Sequence, residues 1–589
     1  LNEKPLNEVV SKIKSPYTDN EVVKLRLCNA YVAIVIPKGR GLYSYRLSDD
    51  GVAVLYGYIY PDSVKELVLR DVGSFRKQIA GVLSRVDGSF TIVLASNDAV
   101  RTVTDKFGTR PMYYSFFGGG VLFGTRINPM VTLLKYTGKS VKLDEEAVVS
   151  YLWFGNRIGI LGDNTFVKNI YLAPAASILN INTRTGRIEK IEYWRPRIES
   201  KEQEEAPIRD LARGLTSSIL KLLKIAEERG LKRVCLMLSG GLDSRAIAAA
   251  LSLYRGKLEI FSITMGTKKC DEIPIASRVA EISRLKHHVI TYKLEDLADY
   301  AIYHVRFTDT FTPINNISAT FLADYISKLR CDAVIVGFLL DAMLQGHFLV
   351  RAHALRRYLN FLYKRSSVFN HEEMLHLLQR PLKKLLPRIL RNFVGAALNV
   401  NGKDPVVKSY LFDLATRQRR LICYGLECLR ESGEVLIPAV FEDFYRGAFT
   451  LVRDIRGLNI RAKLVTTLNA KLSLIPYQGT LIPPIMPTMC QKLGYLIKKL
   501  SQMMYKLTKD RMGYEPTYFD LDKALRESPK WRGLLRLLFN DDCLIYKSGI
   551  VNKDFVIKLV REHLTGTKNH GEKLGVLISL EVFLRNLDL

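Results

Sequence analysis

A short apolar run ending in two adjacent glycines constrains this chain more than any other segment. Cys235-Leu236-Met237-Leu238 leads into Ser239-Gly240-Gly241-Leu242-Asp243-Ser244, and Arg245-Ala246-Ile247-Ala248-Ala249-Ala250 follows with the composition of a helix. Adjacent glycines let the backbone approach a bulky anion and turn its N–H groups toward it. The helix that starts at once adds its positive N-terminal dipole to the same point. Ser239 and Ser244 offer hydroxyl donors to phosphate oxygens. Asp243 would repel a phosphate unless a divalent cation stood between them, so the carboxylate implies Mg²⁺. The lysine of a Gly-x-x-x-x-Gly-Lys-Ser/Thr loop is absent.

The surrounding pattern divides the 589 residues into two regimes. Residues 1–25 read as a helical or irregular lead. Tyr31–Pro37, Val52–Tyr60, Ser89–Ala95, Val100–Thr104, Met112–Phe117 and Val121–Phe123 read as short strands, interrupted by a helical stretch over Val64–Val86. With the further strands up to Tyr193-Trp194 this predicts an α+β domain over 1–194. Arg195–Ala206 is polar, charge-dense and without apolar periodicity, and reads as a linker. From 207 onward apolar strands alternate with helical patterns, which predicts an α/β domain with a parallel sheet covered on both faces. After about residue 350 the pattern is mostly helical, with breaks at Pro476 and Pro483–Pro487, so the second domain over 207–589 carries a helical C-terminal extension.

Hydrophobic residues make up 48% of the chain, which excludes disorder as its main state. No apolar run reaches the ~18–20 residues of a membrane helix, the start lacks a signal-peptide core, and a cytoplasmic location is expected. The eight cysteines lack paired metal-site spacings; Cys423 and Cys428 read as core thiols, and the pair His287-His288 as packed or solvated. The charge of +28 suggests a polyanionic partner or a solvated cationic surface. Much of it lies in 351–391, where ten Lys/Arg face only Glu372 and Glu373.

The Ser-Gly-Gly-x-Asp-Ser string between a strand and a helix resembles the ATP pyrophosphatase (PP-loop) enzymes, whose loop grips pyrophosphate while the α-phosphate is attacked. Within them the chain resembles the asparagine synthetases. In the first domain the resemblance rests on Val86-Asp87-Gly88-Ser89-Phe90, Thr104-Asp105-Lys106-Phe107-Gly108-Thr109-Arg110-Pro111, Thr165-Phe166, Leu172-Ala173-Pro174 and Tyr193-Trp194. In the second it rests on Phe261-Ser262-Ile263-Thr264, Asp271-Glu272, Arg417-Gln418-Arg419-Arg420, Pro438 with Asp443, Ile475-Pro476-Tyr477, His563 and Glu581–Arg585.

The resemblance implies an Ntn-hydrolase-like β sandwich flanked by helices, followed by a PP-loop nucleotide domain. It implies an amide-forming ligase that adenylates a carboxylate, aspartate above all, and transfers it to ammonia or another amine with release of AMP and pyrophosphate. ATP and Mg²⁺ are the implied cofactors. Leu238, Ser239, Gly240, Gly241, Asp243, Ser244, Ile263 and Gly337 would line the nucleotide site, Asp243 and Asp341 would hold the metal, and Asp243, Asp341 and Arg417 would serve catalysis. Arg419 and Arg420 would neutralise pyrophosphate or form interhelical ion pairs. Substrates are small molecules, and a homodimer is a candidate assembly. A PP-loop enzyme acting on RNA, with 351–391 as its footprint, and a catalytically silent ATP-binding regulator are the alternatives.

Three departures qualify the resemblance. The family's N-terminal nucleophilic cysteine has no counterpart at Leu1; Cys28 precedes the first strand and would need removal of 27 residues to free its amine. The oxyanion string reads Tyr56-Gly57-Tyr58-Ile59-Tyr60-Pro61, which keeps one donor of two. Arg46 stands where a glutamine carboxylate would be held or on a solvated strand. A degenerate glutaminase domain is therefore expected. In the second pyrophosphate loop, Gly337-Phe338-Leu339-Leu340-Asp341-Ala342 keeps the metal-binding Asp but has Phe338 where the family has the glutamate that assists amine attack. The acceptor is then open, an internal amine included, as in the related β-lactam synthetases. The insertion Asp309–Asn316 reads as a substrate-side loop or a plain turn.

Overall fold

The computed structural model describes residues 7–10, 14, 20–26, 31–37, 43–48, 51–64, 78–96, 98–117, 120–198, 206–344, 355–400, 404–452, 458–508, 513, 515 and 519–587. Cys28, Arg351 and Gln345-Gly346-His347 lie outside the described residues, as does part of the Val64–Val86 stretch, of which Gln78–Leu83 is helical.

Valine, isoleucine and tyrosine at alternating positions build the first domain's sheets. The lead carries a strand that the pattern alone did not predict: β1 (Asn20–Arg26) pairs antiparallel with β2 (Tyr31–Pro37). A six-stranded antiparallel sheet contains β3 (Tyr43–Ser48), β4 (Gly51–Tyr60), β5 (Asp87–Ser96), β6 (Ala99–Thr104), β10 (Ser177–Asn182) and β11 (Ile188–Glu192) in the order β11-β10-β6-β5-β4-β3. A smaller sheet of β8 (Val121–Gly124), β7 (Tyr113–Phe116) and β9 (Tyr171–Leu172) lies against it. Val52, Ala95, Val100, Met112, Ala173 and Leu179 fill the space between the sheets together with Val93 and Phe123. On the opposite face Leu55, Ile59, Phe90 and Ile92 pack against Ile79 and Leu83 of the Gln78–Leu83 helix. This is the expected sandwich with helical cover.

The second domain opens with the helix Ala206–Glu228 and a parallel sheet of β12 (Arg233–Met237), β13 (Glu259–Gly266), β14 (Lys286–Thr291), β15 (Ala333–Ile335) and β16 (Glu434–Leu436). Its order is β14-β13-β12-β15-β16, and every pairing is parallel. Val234, Cys235 and Leu236 are fully buried, as a central strand covered on both faces requires. The chain builds outward on one side of β12 and then returns to build on the other. The loops after β12 and β15 therefore part at a topological switch point, where ligands bind in open α/β sheets. β16 lies in a stretch that reads as helical; three residues, Glu434-Val435-Leu436, are too short for periodicity to separate strand from helix.

One continuous core joins the two domains: the helix Glu145–Ile158 of the first buries Tyr151, Leu152, Trp153 and Phe154 among residues of the second. Polar contacts lock the same seam. Arg110 pairs with Glu434, and Arg126 with Glu431. Lys106 Nζ donates to Asp87 at 3.0 Å and to the Tyr445 hydroxyl at 2.8 Å. Asp309, at the start of the Asp309–Asn316 insertion, joins this seam, its carboxylate accepting the Ile127 N–H at 2.8 Å. Burial, opposed by that bond and by Arg126, pushes the Asp309 carboxyl up to about 7.

Cys423 and Cys428 are buried thiols. His287 Nδ1 lies 2.9 Å from Ser262 Oγ, in a packed setting. The basic stretch forms the helices Leu355–Ser366 and Leu386–Leu398, which bury Tyr358, Leu362, Ile389 and Phe393 and turn most of their cations outward; Arg388 reaches Glu146 at 3.1 Å. No described helix is long and apolar enough to cross a membrane.

Candidate active site

β12 ends at Met237 and the helix Leu242–Leu251 begins five residues later, so the whole loop between them is Leu238–Gly241. Both backbone polar groups of Leu238 are used by the sheet: its N–H donates to the Ile263 carbonyl at 2.9 Å and its carbonyl accepts the Thr264 hydroxyl at 2.6 Å. Leu238 and Ile263 thus fix the base of the loop, and neither offers those atoms to a ligand. Ser239 Oγ and Ser244 Oγ lie 2.9 Å apart and close the loop on itself, while Ser244 Oγ also accepts the Ser239 N–H at 3.0 Å. Gly241 caps the helix without a side-chain contact, leaving first-turn N–H groups directed at the loop mouth.

A segment far along the chain clamps this loop from outside. Gln478 N–H donates to the Gly240 carbonyl at 3.1 Å, and a Cβ on Gly240 would stand 2.6 Å from that of Gln478, so only glycine fits. Arg245, fully buried, donates to the carbonyls of Leu472, Ile475 and Pro476 at 3.1, 2.8 and 2.8 Å, and to Gly240 at 3.3 Å. Burial draws its guanidinium down to about 10. Lys498 Nζ donates to the Gln478 carbonyl at 2.5 Å and pairs with Asp271 at 2.5 Å. The neighbouring Glu272 carboxylate accepts the Gly240 N–H; burial outweighs that bond and lifts its carboxyl to about 7, with Asp271 adding to the rise.

The second loop follows β15. A Cβ placed on Gly337 would lie 3.7 Å from that of Asp243, which brings the two loops side by side. Phe338 is buried, and Leu339, where the resembled family has a second glycine, adopts a left-handed backbone with φ of 70°. Such a conformation in a branched residue costs on the order of 1–3 kcal/mol and marks a functional turn in many proteins. Asp341 is exposed. Dense protein surroundings and the facing Asp243 charge raise its carboxyl above the usual carboxylate range.

Arg461, from the helix Leu458–Leu468, completes the cluster. Its Nη1 lies 3.0 Å from Asp243 Oδ2, and both side chains are largely buried. Burial alone would lower the Arg461 pKa; Asp243, Tyr477 and Asp341 overcome it and hold it above its ordinary value. Asp243 Oδ1, also buried, has no hydrogen-bond partner among the described residues. An orphaned carboxylate oxygen beside a second carboxylate that its charge perturbs is an environment a divalent cation relieves. Mg²⁺ takes one or two carboxylates and completes its shell with phosphate and water. The residues present fit that ion, although no described group of three His, Cys, Asp or Glu could hold one unaided.

The arginines of the 417–420 stretch divide between the domain seam and the rim of the site. The stretch lies on wide π-helical turns over Leu414–Ile422, which face the first domain. Arg419 Nη2 donates to the Ala173 carbonyl at 2.6 Å, and Arg420 to Ile160 and Asn164 at 3.0 and 2.8 Å. Both hold domain-seam carbonyls, and Arg419 also pairs with Asp163 at 3.6 Å. Arg417 donates to the Arg157 carbonyl at 3.0 Å, and burial lowers its pKa; Asp341 is within its electrostatic reach, so it stands on the rim of the site. Asp443 is likewise structural, binding Ser217 and Lys221. Glu581 is a buried helix cap for the N–H groups of Leu544 and Ile545. Arg461, Gln478 and Lys498 are the site residues that sequence reasoning missed.

Two family models match separate stretches of the chain. Residues 225–406 match the asparagine synthase family model, and residues 66–194 match that of the glutamine amidotransferase domain. A carboxyethyl-arginine β-lactam-synthase of Streptomyces clavuligerus is 24% identical over 270 residues, 45% of this chain and 47% of that protein. A protein of Acanthamoeba polyphaga mimivirus described as "Probable asparagine synthetase [glutamine-hydrolyzing]" is 26% identical over 257 residues, 42% of this chain and 43% of its own. The chain therefore spans somewhat less than half the length of the curated relatives it matches.

Proposed function

We propose that this asparagine synthetase-like chain is an ATP-dependent amide-forming ligase that activates a small carboxylate as its acyl-adenylate, releases pyrophosphate, and passes the acyl group to an amine. The observation that carries the reading is the meeting of two loops at the sheet's switch point, with Asp243 and Asp341 turned to one cleft beside the helix N-terminus at Leu242. In this reading Ser239, Ser244 and the first-turn N–H groups bind the β- and γ-phosphates. Asp243 and Asp341 would hold Mg²⁺, which when bound neutralises triphosphate charge. Arg461 balances the two carboxylates and orients Asp243. Adenylation then depends on positioning and charge neutralisation, the terms this cleft supplies.

Aspartate is the proposed acid and free ammonia the proposed amine. The chain is closely packed at the Gly57 Cα: a Cβ there would meet Ser89 O at 2.1 Å and Arg110 Nε at 2.5 Å, and Arg110 lies over the Tyr56 ring. The amidotransferase match begins at residue 66, beyond Gly57. Both support a first domain that acts as scaffold instead of ammonia source. A second reading, closure onto an amine within the substrate itself, is favoured by Phe338, since the loop offers no carboxylate there to deprotonate an external amine, and by the β-lactam-synthase relative.

The test measures nucleotide products with aspartate plus ammonium and with aspartate plus glutamine. The proposal expects AMP and pyrophosphate with ammonium and, with glutamine, under about one-hundredth of that rate, given the ~10²–10³ that a single oxyanion donor contributes. ADP as product would refute adenylation; equal turnover on glutamine would refute the scaffold role.

A further inference from the structure

The helix Thr488–Leu507 is turned inside out relative to an ordinary surface helix. Its buried side carries Gln491, Gly494, Lys498 and Tyr505. Polar bonds hold that side down: Gln491 donates to the Pro483 carbonyl at 2.6 Å, and Lys498 pairs with Asp271 at 2.5 Å. The opposite side is apolar and bare. Met489, Leu493, Leu496, Leu500, Met503 and Leu507 are 57–83% exposed there, with Ile497 and Met504 exposed beside them. On a helix of 3.6 residues per turn these side chains share one sector roughly 120° wide. Lys492, Tyr495 and Lys499, all exposed, line one edge of it, and the Lys499 ammonium stands 4.9 Å from the Tyr495 ring. Ile485 and Met486, just ahead of the helix, are exposed as well. Scattered exposed leucines need no explanation, but a contiguous stripe of this size marks an interaction surface.

We infer that this side of the helix seats the protein on an anionic bilayer surface. The helix lies flat in the headgroup region, its leucines and methionines at the acyl boundary and its lysines among the anionic headgroups. Three observations select lipid. Between Asp454 and Asp510 the chain has no acidic residue and nine Lys/Arg, so the segment around the stripe is cationic throughout and complements a negative surface. Lys492 and Lys499 stand at the edge of the stripe rather than across it, where an apolar stem lies along the acyl boundary while its ammonium reaches the headgroups. Tyr495 beside them suits the same depth. Finally, Gln491 and Lys498 fix the helix from its other side, so immersing the stripe breaks none of the bonds that hold it. A nucleic acid would be met by cations across the face, and here the middle of the face is apolar. No described helix could cross a membrane, so the contact is peripheral. Lys498 also donates to the Gln478 carbonyl, and the Gln478 N–H holds Gly240, which puts the lipid face and the nucleotide loop on two sides of one helix.

Flotation of the full chain with phosphatidylcholine vesicles, with and without phosphatidylserine, at low ionic strength tests the inference. The variants are Leu496→Glu/Leu500→Glu and Lys492→Gln/Lys499→Gln. All four positions face solvent, so both variants are expected to keep the wild-type circular dichroism and melting temperature. The wild type should float with the phosphatidylserine vesicles. The leucine variant should bind them at least ~100-fold more weakly, as the loss of two apolar anchors implies. The lysine variant should bind them roughly 25-fold more weakly, about fivefold for each charge, with no change on phosphatidylcholine alone. A wild type that stays with the unbound fraction, or a leucine variant that floats as well as the wild type, overturns the inference. Equal recovery of the wild type on both kinds of vesicle overturns the assignment to an anionic surface. A wild type that ignores vesicles but doubles its mass in light scattering, with the leucine variant monomeric, overturns it in favour of a second copy.

Discussion

Arg461 reaches across from another helix to place its guanidinium 3.0 Å from the carboxylate of Asp243. The pair joins the nucleotide loop to a segment 218 residues further along the chain. It also explains how two carboxylates, Asp243 and Asp341, share one cleft in the protein: a single cation balances both. Replacing Arg461 by Met leaves the largely buried Asp243 carboxylate without its cation. The expected outcome is a loss of about 3 kcal/mol in stability, the usual cost of removing one partner of a buried pair, seen as a lower denaturation midpoint. Turnover should fall at least ~10²-fold, and Arg461→Lys should restore part of both, because the charge returns without the forked geometry.

Glu272 gives a pH dependence with a defined sign. Its folded-state carboxyl lies at about 7, above the 4.5 of an unburied glutamate, with burial the leading cause. The folded protein therefore holds this proton more tightly than the unfolded chain between those values. Its contribution favours folding at low pH and is lost progressively as pH rises from 4.5 through 7. Glu272→Gln removes the buried charge and should raise the melting temperature at pH 8 while changing it little at pH 5. Thermal melts of both proteins across that window check the prediction; equal shifts at the two ends would contradict it.

The domain seam is expected to set global stability. Arg110 and Glu434 are almost wholly buried, and Glu434 also accepts the N–H of Val435. Glu434→Gln strands the Arg110 charge and should cost about 3–5 kcal/mol. Because one core runs through both domains, denaturant unfolding should remain a single transition, shifted to lower midpoint. Two separate transitions in the wild type would show that the domains are independent.

What could be read from the sequence was what the chain places contiguously. Ser239–Ser244 sits on six consecutive residues, so glycine conformation, helix polarity and hydroxyl donors could be weighed together before any fold was known. The alternation of apolar strands and helices gave the parallel sheet, and with it the placing of Asp341 after β15. Arg461, Gln478 and Lys498 were hidden because nothing local distinguishes an arginine that crosses to Asp243 from one that faces solvent. Arg419 and Arg420 show the converse. Their charge suggested phosphate, yet the fold gives them the carbonyls of Ala173, Ile160 and Asn164. Charge density alone does not say which partner a guanidinium finds. Asp309 follows the same logic: a turn-forming residue in the sequence becomes a buried link to Ile127 only once two domains meet.

The most direct test of the central claim is acid-dependent exchange of labelled pyrophosphate into ATP, measured across a panel of small carboxylates in the presence of Mg²⁺. Acyl-adenylate formation predicts exchange with at least one acid, aspartate first among them, no exchange without acid, and its loss in both Asp243→Asn and Asp341→Asn. Exchange that persists in both variants, or its absence with every acid tested while ATP binds, would contradict the account.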